Sequence, residues 1–203
     1  MEERESLILA SLLHDIGKFA QRAGEELKEE YQNLENIYCP TYKSYYTHRH
    51  LLYSGQFIKE IFKNKEDLIE NLVLSHHLPE NFTGDKKLSK IIQLSDYLSS
   101  GEREKEDYEV KEIEKEPLIS VFSQIEIDGK KIEEKYNKVV KIEDKIENFI
   151  PVEDKNQAIN QNFNFENLWK EFKQEANKIS YSSNSKKVFN QILFLLEKYT
   201  LFI

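Results

Sequence analysis

Apolar residues recur at helical spacing through the first half of the chain. Residues 5–16 are apolar on nearly every side of a helix, which predicts a buried first helix. Gly17 is expected to end or bend it. Further helices are predicted over residues 25–34, 47–64, 66–77 and 85–99, with an ordered loop over residues 38–46. The first half is therefore expected to form a helical bundle.

The pattern changes after residue 101. Residues 102–116 are almost all charged, which indicates a surface connector. Between Pro117 and Ile127, β-branched and aromatic residues alternate before Asp128-Gly129, so we expect a strand and a turn, with a returning strand over 135–142. Two amphipathic helices are predicted over residues 165–179 and 186–203.

These elements predict a mainly α fold with a small α+β region. The expected organisation is a helical domain over residues 1–105, a charged connector over 106–116 and a small α+β segment over 117–203. The last three residues are apolar, so we also expect a further domain to cover this end of the chain.

Charge limits the mode of substrate binding. The 29 lysines and arginines are outnumbered by 37 acidic residues, which gives a net charge of −8. Proteins that hold nucleic acid by overall electrostatics are usually basic. Either the substrate is small, or a metal centre, a local basic patch or a partner supplies the positive charge.

Cysteine content and hydropathy predict a cytoplasmic protein. The single cysteine, Cys39, cannot form an internal disulfide, which fits a reducing compartment. We interpret it as a small packed residue beside Pro40, in preference to a catalytic thiol. No stretch reaches transmembrane length, and the acidic start does not resemble a signal peptide, so no membrane partner is expected.

All five histidines lie within the first 77 residues: His14, His48, His50, His76 and His77. His14 and Asp15 end the most apolar predicted helix. A carboxylate buried there without a partner would be costly, because ionised groups in a core need pairing or a metal. This distribution predicts a site in the first half.

Helical spacing predicts which of the other residues face the core. His76, His77 and Asp96 each follow apolar core positions by three or four residues. His48 precedes apolar positions by the same spacing, whereas His50 lies about 200° further around the predicted helix. We therefore expect one of this pair to ligate a metal, and we choose His48.

Histidine and aspartate side chains converging from several helices are typical of metal sites in helical bundles. A core histidine bonded to a carbonyl, or a capping aspartate, explains each residue alone but explains the set poorly. Imidazole and carboxylate together suit Mn, Fe, Co, Ni or Zn better than Ca or Mg. Two such ions could polarise a phosphate and generate hydroxide. Lys18, four residues after His14, is either a phosphate contact or a surface lysine.

The segment Leu12-Leu13-His14-Asp15-Ile16-Gly17-Lys18-Phe19, followed by Gln21-Arg22-Ala23, resembles the N-terminal HD motif of the large, Csm-type subunit of type III CRISPR effector complexes. Segments 75–79, 95–103, 117–125 and 195–200 resemble later parts of that family. In this family the HD motif lies near the start of the chain, in a permuted order. The resemblance therefore implies a permuted HD-type helical bundle.

The resemblance implies a metal-dependent nuclease for single-stranded DNA, acting with other Csm-type subunits and guide RNA. It implies a divalent transition metal such as Mn, Co or Ni, as one ion or two. The expected metal ligands are His14, Asp15, His48, His76, His77 and Asp96, and the expected catalytic residues are His14, Asp15 and Lys18.

Two other functions stay open. One is an HD phosphohydrolase acting on small nucleotides, which the negative charge would suit. The other is a non-catalytic docking module of the complex, which the histidine-free second half would suit. The family's palm domains, which make cyclic oligoadenylate, are absent from these residues, so that activity is not expected. The chain is expected to be an N-terminal piece of the full subunit.

Overall fold

The computed structural model describes residues 2–63, 67–100, 116–128, 130–131, 133–181 and 185–200. The N-terminal half is built mainly of helices: α1 (Glu3–Leu13), α2 (Ile16–Arg22), α3 (Glu29–Gln32), α4 (Glu35–Tyr38), α5 (His50–Phe62), α6 (Asp67–Ser75) and α7 (Lys86–Ser100). A short antiparallel hairpin, β1 (Thr41–Tyr42) and β2 (Tyr45–Tyr46), precedes α5. A 3-10 turn, Pro79–Asn81, separates α6 from α7.

The C-terminal half has less regular structure. It contains 3-10 turns at Val121–Gln124 and Ile146–Phe149, the antiparallel pair β3 (Glu126–Ile127) and β4 (Lys130–Lys131), and the helices α8 (Lys155–Ala158), α9 (Phe165–Ala176) and α10 (Ser185–Tyr199). The predicted mainly α fold with a small α+β region is confirmed.

One hydrophobic core joins the two halves. Buried residues of α1, α2, α5 and α6 pack together with those of α9 and α10. The aromatic rings of Phe19, Phe57, Trp169 and Phe172 form its centre, and the ring centroids of Phe19 and Trp169 are 4.9 Å apart. Packing of this kind explains why α9 is amphipathic, since its buried face must cover α2 and α5.

Polar contacts also fix α9 against the N-terminal half. The carboxylate of Glu25 accepts hydrogen bonds from Trp169 Nε1 at 2.8 Å and from Lys173 Nζ at 2.5 Å. All three side chains are partly shielded from water, and these hydrogen bonds give each of the three a polar partner.

The strand predicted from Pro117 to Ile127 is wrong in most of its length. Residues 121–124 form a 3-10 turn, and only Glu126–Ile127 pairs as a strand. The returning strand predicted over 135–142 is reduced to isolated bridges from Tyr136 to Ile119 and Val152. Val121 and Phe122 are 64 % and 68 % exposed, so the alternation does not reflect one buried face of a sheet.

Part of the predicted organisation falls on residues that the structure does not describe. The connector at 106–116 lies outside the described residues except for its last position, and so do the last residues of the predicted domain 1–105 and residues 201–203. The division into 1–105, 106–116 and 117–203 stays a prediction. Within the described ranges, no helix combines the length and apolar character needed to span a bilayer.

Candidate metal centre

The predicted first helix bends at His14 and Asp15. α1 ends at Leu13, and α2 starts at Ile16 after Asp15 leaves helical geometry with φ −100° and ψ 2°. The bend comes before Gly17, the residue expected to cause it. At this bend, Asp15 lies beside His50 of α5, and His14 lies beside His76, which follows α6, and Asp96 of α7.

Gly17 allows α2 to lie directly against α5. A Cβ atom at this position would lie 2.0 Å from the carbonyl oxygen of His50 and 2.7 Å from the backbone nitrogen of Ser54. Ser54 Oγ accepts a hydrogen bond from the Gly17 amide at 2.7 Å and donates one to the His14 carbonyl at 2.9 Å. The start of α5 is thereby held beside the bend.

The close approach of α2 and α5 brings His50 to Asp15. His50 is the first residue of α5 and is 5 % exposed. Its Nε2 lies 3.1 Å from Asp15 Oδ1. Asp15 Oδ2 accepts a hydrogen bond from Lys18 Nζ at 2.6 Å, and α2 continues through Gly17 to Arg22. The Asp15 carboxylate therefore bridges an imidazole and an ammonium group.

The remaining predicted residues arrive from α7 and from the turn after α6. His14 Nε2 lies 3.5 Å from Asp15 Oδ2 and 3.7 Å from Asp96 Oδ1. The ring centroids of His14 and His76 are 4.9 Å apart, and those of His76 and His77 are 4.3 Å apart. The structure thus brings five of the six predicted ligands into one cluster with His50.

His48 lies at the edge of this cluster. Its ring centroid is 4.1 Å from that of His77 and 5.9 Å from that of His50. Two sets of ligand atoms converge to within 4.8 Å of one another: His50, His76 and His77, and His14, Asp15 and His76. His48 belongs to neither set, whereas His50, which we set aside from the helical spacing, belongs to the first.

The helical argument about His48 and His50 rested on a wrong helix start. α5 begins at His50, not at residue 47, and His48 has a left-handed backbone with φ 58°. A rotation of 100° per residue does not apply to a residue outside the helix. The proximity of His50 to Asp15 depends on Gly17, and no local pattern in the sequence signals it.

Hydrogen bonds define which imidazole nitrogen is available. Nδ1 of His14 lies 2.8 Å from the Ser11 carbonyl oxygen, and Nδ1 of His76 lies 2.8 Å from that of Val73. A carbonyl oxygen only accepts, so each Nδ1 carries the proton and each Nε2 keeps its lone pair. This is the second contact that metal-bound histidines usually make.

Unsatisfied buried atoms mark the same place. In the described part of the chain, the buried side-chain atoms without a hydrogen-bond partner are Nε2 of His14, His50 and His76, with Gln21 Oε1 and Arg22 Nη1. Buried polar atoms rarely stay unpaired without a reason. Three imidazole nitrogens beside a carboxylate are the donor set that a divalent transition ion prefers, so the residues fit a metal.

Burial keeps four of the imidazoles, those of His48, His50, His76 and His77, neutral. Burial lowers the pKa of His76 to about 3, of His77 to about 2 and of His48 to about 4, with neighbouring histidines adding to the effect. Burial also lowers the pKa of His50. Neutral imidazole is the form that binds metal, so no proton has to leave these rings at neutral pH.

For the pKa of Asp15, neighbouring groups outweigh burial. Burial alone would raise its pKa, but the interaction with His50, aided by His14 and Lys18, lowers the pKa well below its usual range. The carboxylate is therefore ionised across the physiological range and available as an anionic ligand.

Exposure increases across the cluster. His76 is fully buried, the side chains of His14 and Asp96 are 20 % and 27 % exposed, and that of Lys18 is 48 % exposed. The cluster therefore has a dry floor and an open side.

Comparison with known proteins agrees with this arrangement. Residues 1–101 match the HD domain family. Over 212 aligned residues, the chain is 29 % identical to a protein of Methanocaldococcus jannaschii, the CRISPR system single-strand-specific deoxyribonuclease Cas10/Csm1 (subtype III-A). The alignment covers 98 % of this chain but only 23 % of that relative, so the chain spans about a quarter of the relative's length. No solved structure matches the chain.

The match over residues 1–101 contains every residue of the metal cluster. The similarity to the Cas10/Csm1 protein continues beyond it, through α9 and α10. The chain therefore carries an HD domain and is related to the HD-containing region of the large subunit of type III CRISPR systems.

Proposed function

We propose that the chain is a metal-dependent nuclease that hydrolyses phosphodiester bonds of single-stranded DNA within a type III CRISPR effector complex. The observation that carries the proposal is the grouping of the buried Nε2 atoms of His14, His50 and His76, none of which makes a hydrogen bond of good geometry, around the ionised Asp15 carboxylate, whose Oδ1 lies 3.1 Å from His50 Nε2. The similarity to a single-strand-specific deoxyribonuclease supports the choice of substrate.

The metal ligands that the geometry supports best are His14, Asp15, His50, His76 and His77. Asp96 lies beside His14 as a further carboxylate, and His48 packs on His77 at the edge. A divalent transition ion such as Mn, Co or Ni would supply Lewis-acid polarisation of a phosphate and a hydroxide nucleophile at neutral pH.

The number of ions depends on His76. This residue belongs to both convergent sets, yet its Nδ1 faces the Val73 carbonyl and only Nε2 has a lone pair to offer. One nitrogen lone pair binds one ion, so both sets cannot be complete together. We therefore expect one tightly held ion per chain, with a second ion bound more weakly.

The chain's own residues position the substrate. Lys18 Nζ, already held by Asp15 at 2.6 Å, lies on the open side of the cluster, where it can contact a phosphate oxygen. The buried rings of His50 and His76 exclude water from the floor. Low water access strengthens each electrostatic contact to the developing negative charge.

The proposal is tested by incubating the metal-free chain with labelled single-stranded DNA, duplex DNA and a panel of nucleotides, each with added Mn, Co or Ni. We expect cleavage of single-stranded DNA that requires metal and is lost in His14→Ala/Asp15→Ala. The matched control, Glu166→Ala, removes an exposed carboxylate of α9, a helix that contributes no residue to the cluster, and should cleave as the parent does.

Each alternative has its own outcome. Turnover of small nucleotides without cleavage of DNA would indicate an HD phosphohydrolase. Metal binding or complex assembly without any turnover would indicate a docking module. Equal cleavage by the parent and His14→Ala/Asp15→Ala would refute the proposal, because the activity would then arise outside the cluster.

A further inference from the structure

A second pair of unsatisfied polar atoms lies outside the metal cluster, at the end of α2. Nη1 of Arg22 and Oε1 of Gln21 are buried and have no hydrogen-bond partner among the described residues. Arg22 also takes part in none of the ion pairs between described residues. An unpaired guanidinium with a buried nitrogen is unfavourable, because the lost hydration is not replaced.

The acidic group nearest in sequence is already occupied. Glu25 is held by Trp169 Nε1 at 2.8 Å and by Lys173 Nζ at 2.5 and 2.7 Å. Lys173 neutralises its charge, and no ion pair forms between Glu25 and Arg22. Among the described residues, Arg22 therefore has no anionic partner of its own.

The Arg22 guanidinium is oriented by the C-terminal half. Its central carbon lies 5.1 Å from the ring centroid of Phe165, the first residue of α9, and Phe165 is 2 % exposed. A cation stacked on a fixed aromatic ring loses part of its side-chain freedom before any ligand binds. Arg22 keeps part of its surface accessible to solvent. Such a pre-oriented donor fork suits a phosphate group.

The position of Arg22 relates it to the metal cluster. Lys18 and Arg22 are four residues apart in α2, so they lie on one helix face about 6 Å apart along the axis. Asp15 precedes this face by one turn. Asp15, Lys18 and Arg22 therefore form a line that runs from the metal ligands along the polar side of α2.

We propose that Arg22 binds a backbone phosphate of the single-stranded DNA, one that flanks the phosphate at the metal cluster, and so positions the strand along α2. The inference rests on the proposed nuclease function and adds a second contact beyond Lys18. It also gives this acidic chain, of net charge −8, a local cationic track for a polyanion. Phosphate contacts of this kind position a strand without reading its sequence.

The experiment measures binding of a fluorescent oligothymidine to metal-free protein, in which no cleavage is expected, over a series of KCl concentrations. Removing one phosphate contact should weaken binding about tenfold. It should also make the dependence of log K on log salt less steep by about 0.7, the value for one phosphate on a single strand. Arg22→Ala is expected to show both changes, whereas Arg22→Lys should keep the parent's salt slope.

The matched control is Arg4→Ala, which removes an exposed arginine of α1 and should leave affinity and slope unchanged. Metal affinity and thermal unfolding of each variant are measured alongside. If Arg22→Ala unfolds, Arg22→Gln decides, because it keeps most of the side chain and removes the charge: a salt slope equal to the parent's there would contradict the phosphate contact.

The two hypotheses fail differently. If the parent binds and cleaves the oligonucleotide while Arg22→Ala has the parent's slope, the Arg22 contact is wrong and the nuclease function stands. If the parent neither binds nor cleaves it, the nuclease function fails, and the Arg22 contact fails with it. A weaker Arg22→Ala with an unchanged slope also counts against a phosphate contact.

Discussion

The substitution Gly17→Ala tests how the metal cluster is held together. The added Cβ would lie 2.0 Å from the His50 carbonyl oxygen, whereas ordinary contacts begin at 3.4 Å. The nearest atom, the His50 carbonyl oxygen, and the Ser54 nitrogen belong to the α5 backbone, so rotating the Ser54 side chain would not relieve the clash. α2 and α5 must therefore move apart by about 1.4 Å at this point.

The free energy of unfolding should fall by about 2 kcal/mol. Overpacking a core usually costs about 1–3 kcal/mol, and a clash with backbone belongs at the upper end of that range. Alanine recovers about 0.5–1 kcal/mol relative to glycine in a helix, since it restricts the unfolded chain. Moving α5 also separates His50 from Asp15, now 3.1 Å apart, so metal affinity should fall as well.

Urea unfolding of the metal-free protein measures the first effect, and calorimetric titration with Mn measures the second. Gly55→Ala, also in α5, is the matched control, because its Cβ would meet the Leu74 side chain at 2.8 Å and not a backbone atom. We expect it to cost stability without changing metal affinity. If Gly17→Ala unfolds within about 0.5 kcal/mol of the parent and binds metal equally well, the close approach of α2 and α5 does not support the cluster.

Three further predictions follow from individual residues. His76→Ala should lower metal affinity by at least about 100-fold in a chelator competition, because His76 belongs to both convergent sets of ligand atoms. His48→Ala should lower it much less, because His48 belongs to neither set. Burial would raise the pKa of Glu175, but hydrogen bonds from Lys198 and Tyr199 lower it. Glu175→Gln should therefore be less stable than the parent above pH 4.5, and the two free energies of unfolding should converge as the pH falls in an acid unfolding series. Burial, with a nearby carboxylate, raises the pKa of the Cys39 thiol to about 12, so a thiol reagent should label it only as the chain unfolds in urea.

Helical periodicity was sufficient to predict most of the N-terminal half. Apolar residues three and four positions apart mark the buried faces of α5, α6 and α7. The ligands lie on these faces or directly beside them in the sequence. Because His76, His77 and Asp96 are tied to such faces, their convergence with His14 could be expected from spacing alone.

Periodicity was not sufficient where the backbone leaves a regular element. The left-handed φ of His48 has no signature in the residues around it, and it moves the start of α5 to His50. The same limit applies to residues 117–127, where alternating apolar residues occur in a 3-10 turn with its side chains exposed. Alternation predicts a strand only if one face has a partner to cover it.

The contacts that complete the site join distant parts of the chain, and this explains why they escaped prediction. His50 reaches Asp15 only because Gly17 admits the α5 backbone, and Arg22 is oriented only because Phe165 returns from α9. No local sequence pattern distinguishes Gly17 from a glycine that ends a helix, or Arg22 from an arginine on the surface. Their roles come from tertiary packing, so a variant at Phe165 should disturb DNA binding through Arg22 while leaving the histidine cluster able to bind metal. Phe165→Leu, which keeps the apolar contact and removes the aromatic face, separates these two effects in the same salt and metal titrations.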